Sequence, residues 1–190
     1  MLSRNNARII LSKYGGEAMW VDHCIAVANL ADHLAPIIRK HHDIDADFFW
    51  SAALLHDIGR HVTHEPVRHG VAGYNLMMEL GHPDEAYVCA SHVLFGLKAD
   101  ETAQFGLPRK NFVPRKMEER LVALIDYLIE FDKPTTLQAR FSSLRARNAD
   151  NGFFFSRLER AEKAASDFMA VITSAIGQTF EDVLAAYSEI

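Results

Sequence analysis

The sequence predicts an all-α fold: a single-domain helical bundle with a C-terminal helical extension. Apolar residues recur at helical spacing in one segment after another, and no segment keeps the apolar-polar alternation of a strand. Size and composition agree with one buried core. The chain has 190 residues, 49% of them hydrophobic and 24% charged, as in an ordinary soluble globular protein. No internal repeat divides it further.

In chain order, residues 4–13 read as a short helix ended at Gly15-Gly16, and residues 17–41 as a long one. On the long helix His23 has Val27, Leu30 and Leu34 at +4, +7 and +11, so its imidazole shares a face with core residues and not with Asp22, Asp32 or Arg39. The next helix, about 45–59, takes Asp43 or Asp45 as its cap and runs from Phe48-Phe49-Trp50 through Leu54-Leu55 into His56-Asp57. At helical spacing His56 lies over Ala52 and Phe49, and Asp57 over Ala53 and Trp50, so both project to the apolar side. Gly59 is expected to end this helix. A polar connection leads through Pro66 into a helix over about 67–80, where His69 precedes Ala72, Gly73 and Leu76. The small residues there would let another element approach closely. After Gly81-His82-Pro83-Asp84, residues 85–94 are helical, with Val88, Cys89 and Phe95 placing His92 on an apolar face.

Residues 97–116 are irregular and carry Lys98, Arg109, Lys110, Arg115 and Lys116, which makes them the expected lid or rim of a site. Residues 117–131 return to helix, and Asp126 stands in their apolar face with Val122 at −4 and Ile129 at +3. Past Asp132-Lys133-Pro134, helices over 137–147, 153–176 and 180–187 contain no histidine and no evident chemistry. We expect residues 1–132 to carry the site and residues 133–190 to be helices packed on the same domain.

Charge and cysteine content remove several function classes. A net charge of −5 argues against extended nucleic-acid binding. Two cysteines, Cys24 and Cys89, cannot form a disulfide framework; no basic, apolar, small-residue leader is expected, and no apolar run approaches the roughly 18 residues a membrane helix needs. A cytoplasmic location without membrane contact is the expectation. The ten histidines are more than a domain of this size usually carries. His23, His56, Asp57, His69, His92 and Asp126 all face inward, and an ionised carboxylate buried alone costs several kcal/mol or more. A common partner would offset six such costs. Imidazole with carboxylate is a ligand set for divalent Zn, Mn, Fe or Ni, the lack of Cys pairs argues against a structural zinc site, and six ligands exceed what one ion needs.

The order His, then His-Asp, then Asp resembles the HD superfamily of metal-dependent phosphohydrolases, and His56-Asp57-Ile58-Gly59 matches the HDIG form of its motif. The resemblance runs over roughly residues 18–131, and the Gly106-Leu107-Pro108 loop is similar to that of small HDIG proteins. It implies an HD-type domain over 1–132 in which His23, His56, Asp57 and Asp126 hold one ion. Asp57 would bridge to a second ion, completed by His69 and His92, with His64 as a substitute for His69. Two divalent ions are implied, drawn from Fe, Mn, Ni, Co or Zn, with Mg admitted. The catalytic candidates are Asp57, Arg60 and Lys98, the last two as cations that hold a phosphate. The implied activity is hydrolysis of a small-molecule phosphomonoester, nucleotide or dinucleotide. The Gly-Tyr-Pro signature of cyclic-di-GMP enzymes is missing, so that substrate does not carry over. Two other readings use the same ligands: a di-iron oxygenase, and a non-catalytic regulatory module with a structural metal site. Homodimer formation is compatible with the sequence.

Overall fold

Side-chain caps set where the N-terminal helices begin. Ser3 caps α1 (Arg4–Gly15) by accepting from the Asn6 amide, and Asp45 caps α3 (Ala46–Leu55) by accepting from the amides of Asp47 and Phe48 at 3.0 Å. Between them α2 (Met19–Ile38) turns His23, Val27, Leu30 and Leu34 to the core, the face its spacing predicts. The computed structural model describes residues 2–188. Among these the fold is all-α, continuing as α4 (Arg68–Glu79), α5 (Pro83–Ser91), α6 (Ala99–Thr102), α7 (Met117–Tyr127), α8 (Leu137–Arg147), α9 (Gly152–Phe155), α10 (Leu158–Ile176) and α11 (Phe180–Ser188). A small antiparallel hairpin, β1 (Ile129–Glu130) and β2 (Lys133–Pro134), joins α7 to α8.

Helix α3 is the centre of the bundle. Phe48 to Leu55 are all buried, because α1 and α2 pack on it from one direction and α5 and α7 from another. The core is continuous from Leu30, Phe49 and Leu121 to Phe141, Leu158, Phe168 and Phe180, so α8, α10 and α11 close over apolar surface that the earlier helices leave open. No helix among the described residues is long and apolar enough to cross a membrane.

Helix α3 stops earlier than its sequence predicts. Leu55 is its last helical residue, His56-Asp57 make a turn, and Ile58–His61 form a 3-10 turn. Gly59 is therefore not a terminator. A Cβ at Gly59 would lie 1.9 Å from the carbonyl oxygen of His69 and 2.3 Å from the amide nitrogen of Gly73, so only glycine lets this turn sit against α4. On the other side of α4 the small residues do what the spacing suggests. A Cβ at Gly70 would lie 2.7 Å from the Cys89 carbonyl oxygen, which is how closely α4 meets α5. Because both obstructions at Gly59 are main-chain atoms, Gly59→Ala should cost about 3 kcal/mol or more and lower Tm by on the order of 10 °C. A thermal melt superimposing on wild type would refute the contact.

The basic stretch 97–116 is not a lid. Buried Glu101 accepts hydrogen bonds from the Lys98 amide (2.8 Å), Arg157 Nε (2.9 Å) and Arg160 (3.0 and 3.1 Å), which ties the segment to α9, α10 and their junction. Burial raises the pKa of Glu101, but the bonds from Arg160, the Lys98 amide and Arg157 outweigh it and bring the value down to about 2. Arg115 and Lys116 are engaged away from the histidines. Arg115 lies 3.9 Å over the ring of Tyr87, and Lys116 donates to Asp84 at 3.0 Å.

Candidate metal centre

All six side chains singled out in the sequence converge on one place. His23 arrives on α2, His56 and Asp57 on the turn after α3, His69 on α4, His92 at the end of α5 and Asp126 near the end of α7. His56, Asp57, His69 and His92 are at most 4% exposed, and His23 and Asp126 are 8% and 9% exposed. Asp57 has φ −100° and ψ 11°, a sparsely populated backbone conformation in which active-site residues are often found. Its Oδ1 is 2.9 Å from His69 Nε2 and 3.5 Å from His92 Nε2, and its Oδ2 is 3.8 Å from His56 Nε2. Asp126 Oδ1 is 3.0 Å from His23 Nε2 and 3.6 Å from His56 Nε2. Two groups have ligand atoms within 4.8 Å of one another: His23, His56 and Asp126, and His56, Asp57 and His92. His64, the alternative ligand, is exposed at the rim of the adjoining cleft, and buried His69 holds the inner position.

The imidazoles share one orientation. Each Nδ1–H donates to a main-chain carbonyl: His23 to Phe131 (2.7 Å), His56 to Ala53 (2.7 Å), His69 to Glu65 (3.0 Å) and His92 to Val88 (3.2 Å). A neutral ring with its proton on Nδ1 has a lone pair on Nε2. Those lone pairs then face carboxylate oxygens, and His69 Nε2 faces His92 Nε2 at 3.3 Å. Among the described residues, neither His56 Nε2 nor Asp57 Oδ1 finds a hydrogen-bond partner. Lone pair against lone pair is repulsive unless a cation stands between. Protonating four buried rings would place several positive charges beside Arg60, a costly arrangement, whereas divalent metal ions satisfy the same lone pairs. The set fits divalent metal.

Electrostatics put the donors in ligand-competent states. Burial raises the pKa of Asp57, but the Arg60 guanidinium and the imidazoles of His69 and His56 outweigh it and hold the carboxyl well below the usual range. For Asp126 burial is again opposed, here by the nearby imidazoles of His23 and His56, and the result is the same. Burial is the leading influence on His69 and lowers its pKa despite the nearby Asp57, which favours the neutral ring.

The two cations proposed from sequence part company. Arg60 donates from Nε to Asp57 Oδ2 and lines the cleft over the site. Lys98 does not reach it: the residue is exposed at the N-cap of α6. Two arginines from α8 are there instead. Arg140 and Arg147 line the 240 Å³ cleft beside His69 and His92, and also a 420 Å³ hollow that continues past Trp20 and Phe131. Reading residues 133–190 as helices packed on the same domain therefore missed them. A signal existed, since Arg140 lies between Leu137, Phe141 and Leu144 at core spacing, the same pattern that marks Asp126. Phe131 was missed too, because its contribution is main-chain. It has φ 56°, in the left-handed region unusual for a non-glycine, with its carbonyl accepting from His23.

Comparison with known proteins places this geometry in a family. The HD domain model matches residues 20–130, from α2 to the β-hairpin. Over 111 residues the chain is 39% identical to an uncharacterized protein of Methanocaldococcus jannaschii, covering 57% of this chain and 65% of that one. It is 29% identical over 175 residues to a tRNA (cytidine(56)-2'-O)-methyltransferase of Thermoplasma volcanium, covering 92% of this chain and 48% of that one. A protein of the same name from Picrophilus torridus is 28% identical over 141 residues, 74% of this chain and 40% of its own length. The chain thus spans between two fifths and two thirds of the length of these relatives. No solved structure matches. The matched region contains every one of the six converging side chains, and the chain belongs to the HD domain family.

Proposed function

We propose that the chain is a divalent-metal-dependent phosphohydrolase acting on a phosphomonoester, nucleotide or dinucleotide through a binuclear centre held by His23, His56, Asp57, His69, His92 and Asp126. The observation that carries this reading is the common orientation of the four imidazoles, whose Nδ1 protons are all committed to main-chain carbonyls. Bound divalent ions supply acidified water and neutralise charge on phosphoryl oxygens. The protein's own groups prepare the rest. Asp57 turns its two oxygens to different imidazoles, which suits a carboxylate shared between two ions. Arg60 is already held against Asp57 and lines the cleft where a phosphate would enter. The name borne by the two longer relatives, a tRNA methyltransferase, favours nucleotides within the phosphoester class.

The test is metal analysis of freshly purified protein followed by a phosphoester and nucleotide panel with added Mn, Fe, Co, Ni, Zn or Mg. Phosphate release should require a divalent ion and be independent of oxygen. Arg60→Ala should lower kcat/KM by on the order of tenfold or more. Two bound irons with oxygen consumption and no phosphate release would decide for an oxygenase. Stable metal binding without turnover of any kind would favour a regulatory module.

A further inference from the structure

The cleft over the site is cationic for a reason that the metal ligands do not explain. Arg140 is nine-tenths buried, and among the described residues its Nε has no hydrogen-bond partner. Its Nη1 is 3.6 Å from Glu130 Oε1 and its Nη2 is 4.0 Å from Asp126 Oδ1, both beyond hydrogen-bond length. Glu130 is occupied elsewhere, accepting from Arg147 Nη2 at 3.0 Å and from Ser143 Oγ at 2.6 Å. Arg147 follows Arg140 by seven residues on α8, and Arg60 faces the same cleft from the turn after α3. The guanidinium thus has carboxylates at ion-pair distance but no hydrogen bond to either, and a buried guanidinium in that state is costly, so an acceptor belongs in this cleft when the site is in use.

We propose that Arg140 and Arg147, together with Arg60, form the binding site for the dianionic phosphate of a phosphomonoester, and that monoesters are the substrate class. This rests on the reading of the centre as a phosphohydrolase. A terminal phosphate carries about −1.5 to −2 charges near neutral pH and presents three oxygens, so it can meet guanidinium groups and metal ions together. A diester has one charge and two free oxygens, so it offers guanidinium groups and metal ions less to hold. The 420 Å³ hollow by Trp20 and Phe131 offers the leaving group its space. Both α8 arginines lie outside the residues that the HD domain model matches, so the catalytic domain would take its phosphate grip from the C-terminal helices.

The experiment is titration of inorganic phosphate into metal-loaded protein by calorimetry, on wild type, Arg140→Gln, Arg140→Lys and Arg147→Gln, with metal content and Tm measured for each. Arg140→Gln should weaken phosphate binding at least tenfold at unchanged metal content, and Arg147→Gln several-fold. Arg140→Lys should recover part of the loss, because it keeps the charge but not the planar fork. Should Arg140→Gln fail to fold, the Lys variant and Arg147→Gln carry the test, since the Arg147 side chain is 45% exposed. Wild type should also cleave p-nitrophenyl phosphate faster than bis(p-nitrophenyl) phosphate by on the order of a hundredfold. Wild-type phosphate affinity in the folded arginine variants, or equal rates on the two esters, would overturn the proposal. Phosphate binding lost in the variants while wild type turns over no phosphoester would uphold the anion site and remove the hydrolase reading.

Discussion

Asp57→Ala should empty both ligand groups of metal and lower turnover by on the order of a thousandfold or more. Asp57 is the side chain whose two oxygens face imidazoles from three elements: the turn after α3, α4 and α5. Its loss would also leave the Arg60 guanidinium unpaired against the same histidines, and an uncompensated charge of this kind costs about 3–5 kcal/mol. The measurement is metal content by elemental analysis beside a thermal melt. His69→Ala provides the contrast, because it removes one ligand from the side of the site shared with His92 and should lower the metal count toward one per chain. Full metal stoichiometry in a folded Asp57→Ala protein would show that the carboxylate is not shared.

Stripping the metal with a chelator should lower Tm by on the order of 10 °C. An ion present at about a thousand times its dissociation constant adds about 4 kcal/mol to the folded state, and each kcal/mol moves Tm by roughly 2–4 °C in a domain of this size. The structural cause is the set of facing Nε2 lone pairs, which repel when nothing positive lies among them. Acid acts in the same direction. The pKa of His69 is lowered from its ordinary 6.5, so below pH 6.5 the unfolded chain takes up a proton that the folded chain does not, and stability falls as pH drops toward the folded value. Protons also compete with metal for the same nitrogens. The melt of metal-loaded protein should therefore move toward that of stripped protein as pH is lowered from 7 to 5. Identical melts for loaded and stripped protein at pH 7 would remove metal from the account of this site.

The six converging side chains are legible in the amino-acid sequence because their signal is local. His23 is marked by Val27, Leu30 and Leu34, and Asp126 by Val122 and Ile129, and such spacings reach no further than a few helical turns. The all-α class, the capping of α3 by Asp45 and the inward direction of all six polar side chains follow from this short-range pattern. Which cation reaches the cleft over the site does not. Lys98 lies six residues from His92, yet the clamp of Glu101 on Arg157 and Arg160 holds its segment against α9 and α10. Arg140 lies 83 positions beyond Asp57, yet the hairpin after α7 turns α8 so that its guanidinium shares the cleft with Asp57. Gly59 and Phe131 were decided in the same way: the glycine by the main chain of α4, the phenylalanine by the backbone angle that aims its carbonyl at His23. Sequence alone determined the faces of the helices, because a face depends on neighbours within a few turns. Tertiary structure decided which faces meet, because helix crossings and chain reversals depend on packing between segments that the chain keeps far apart.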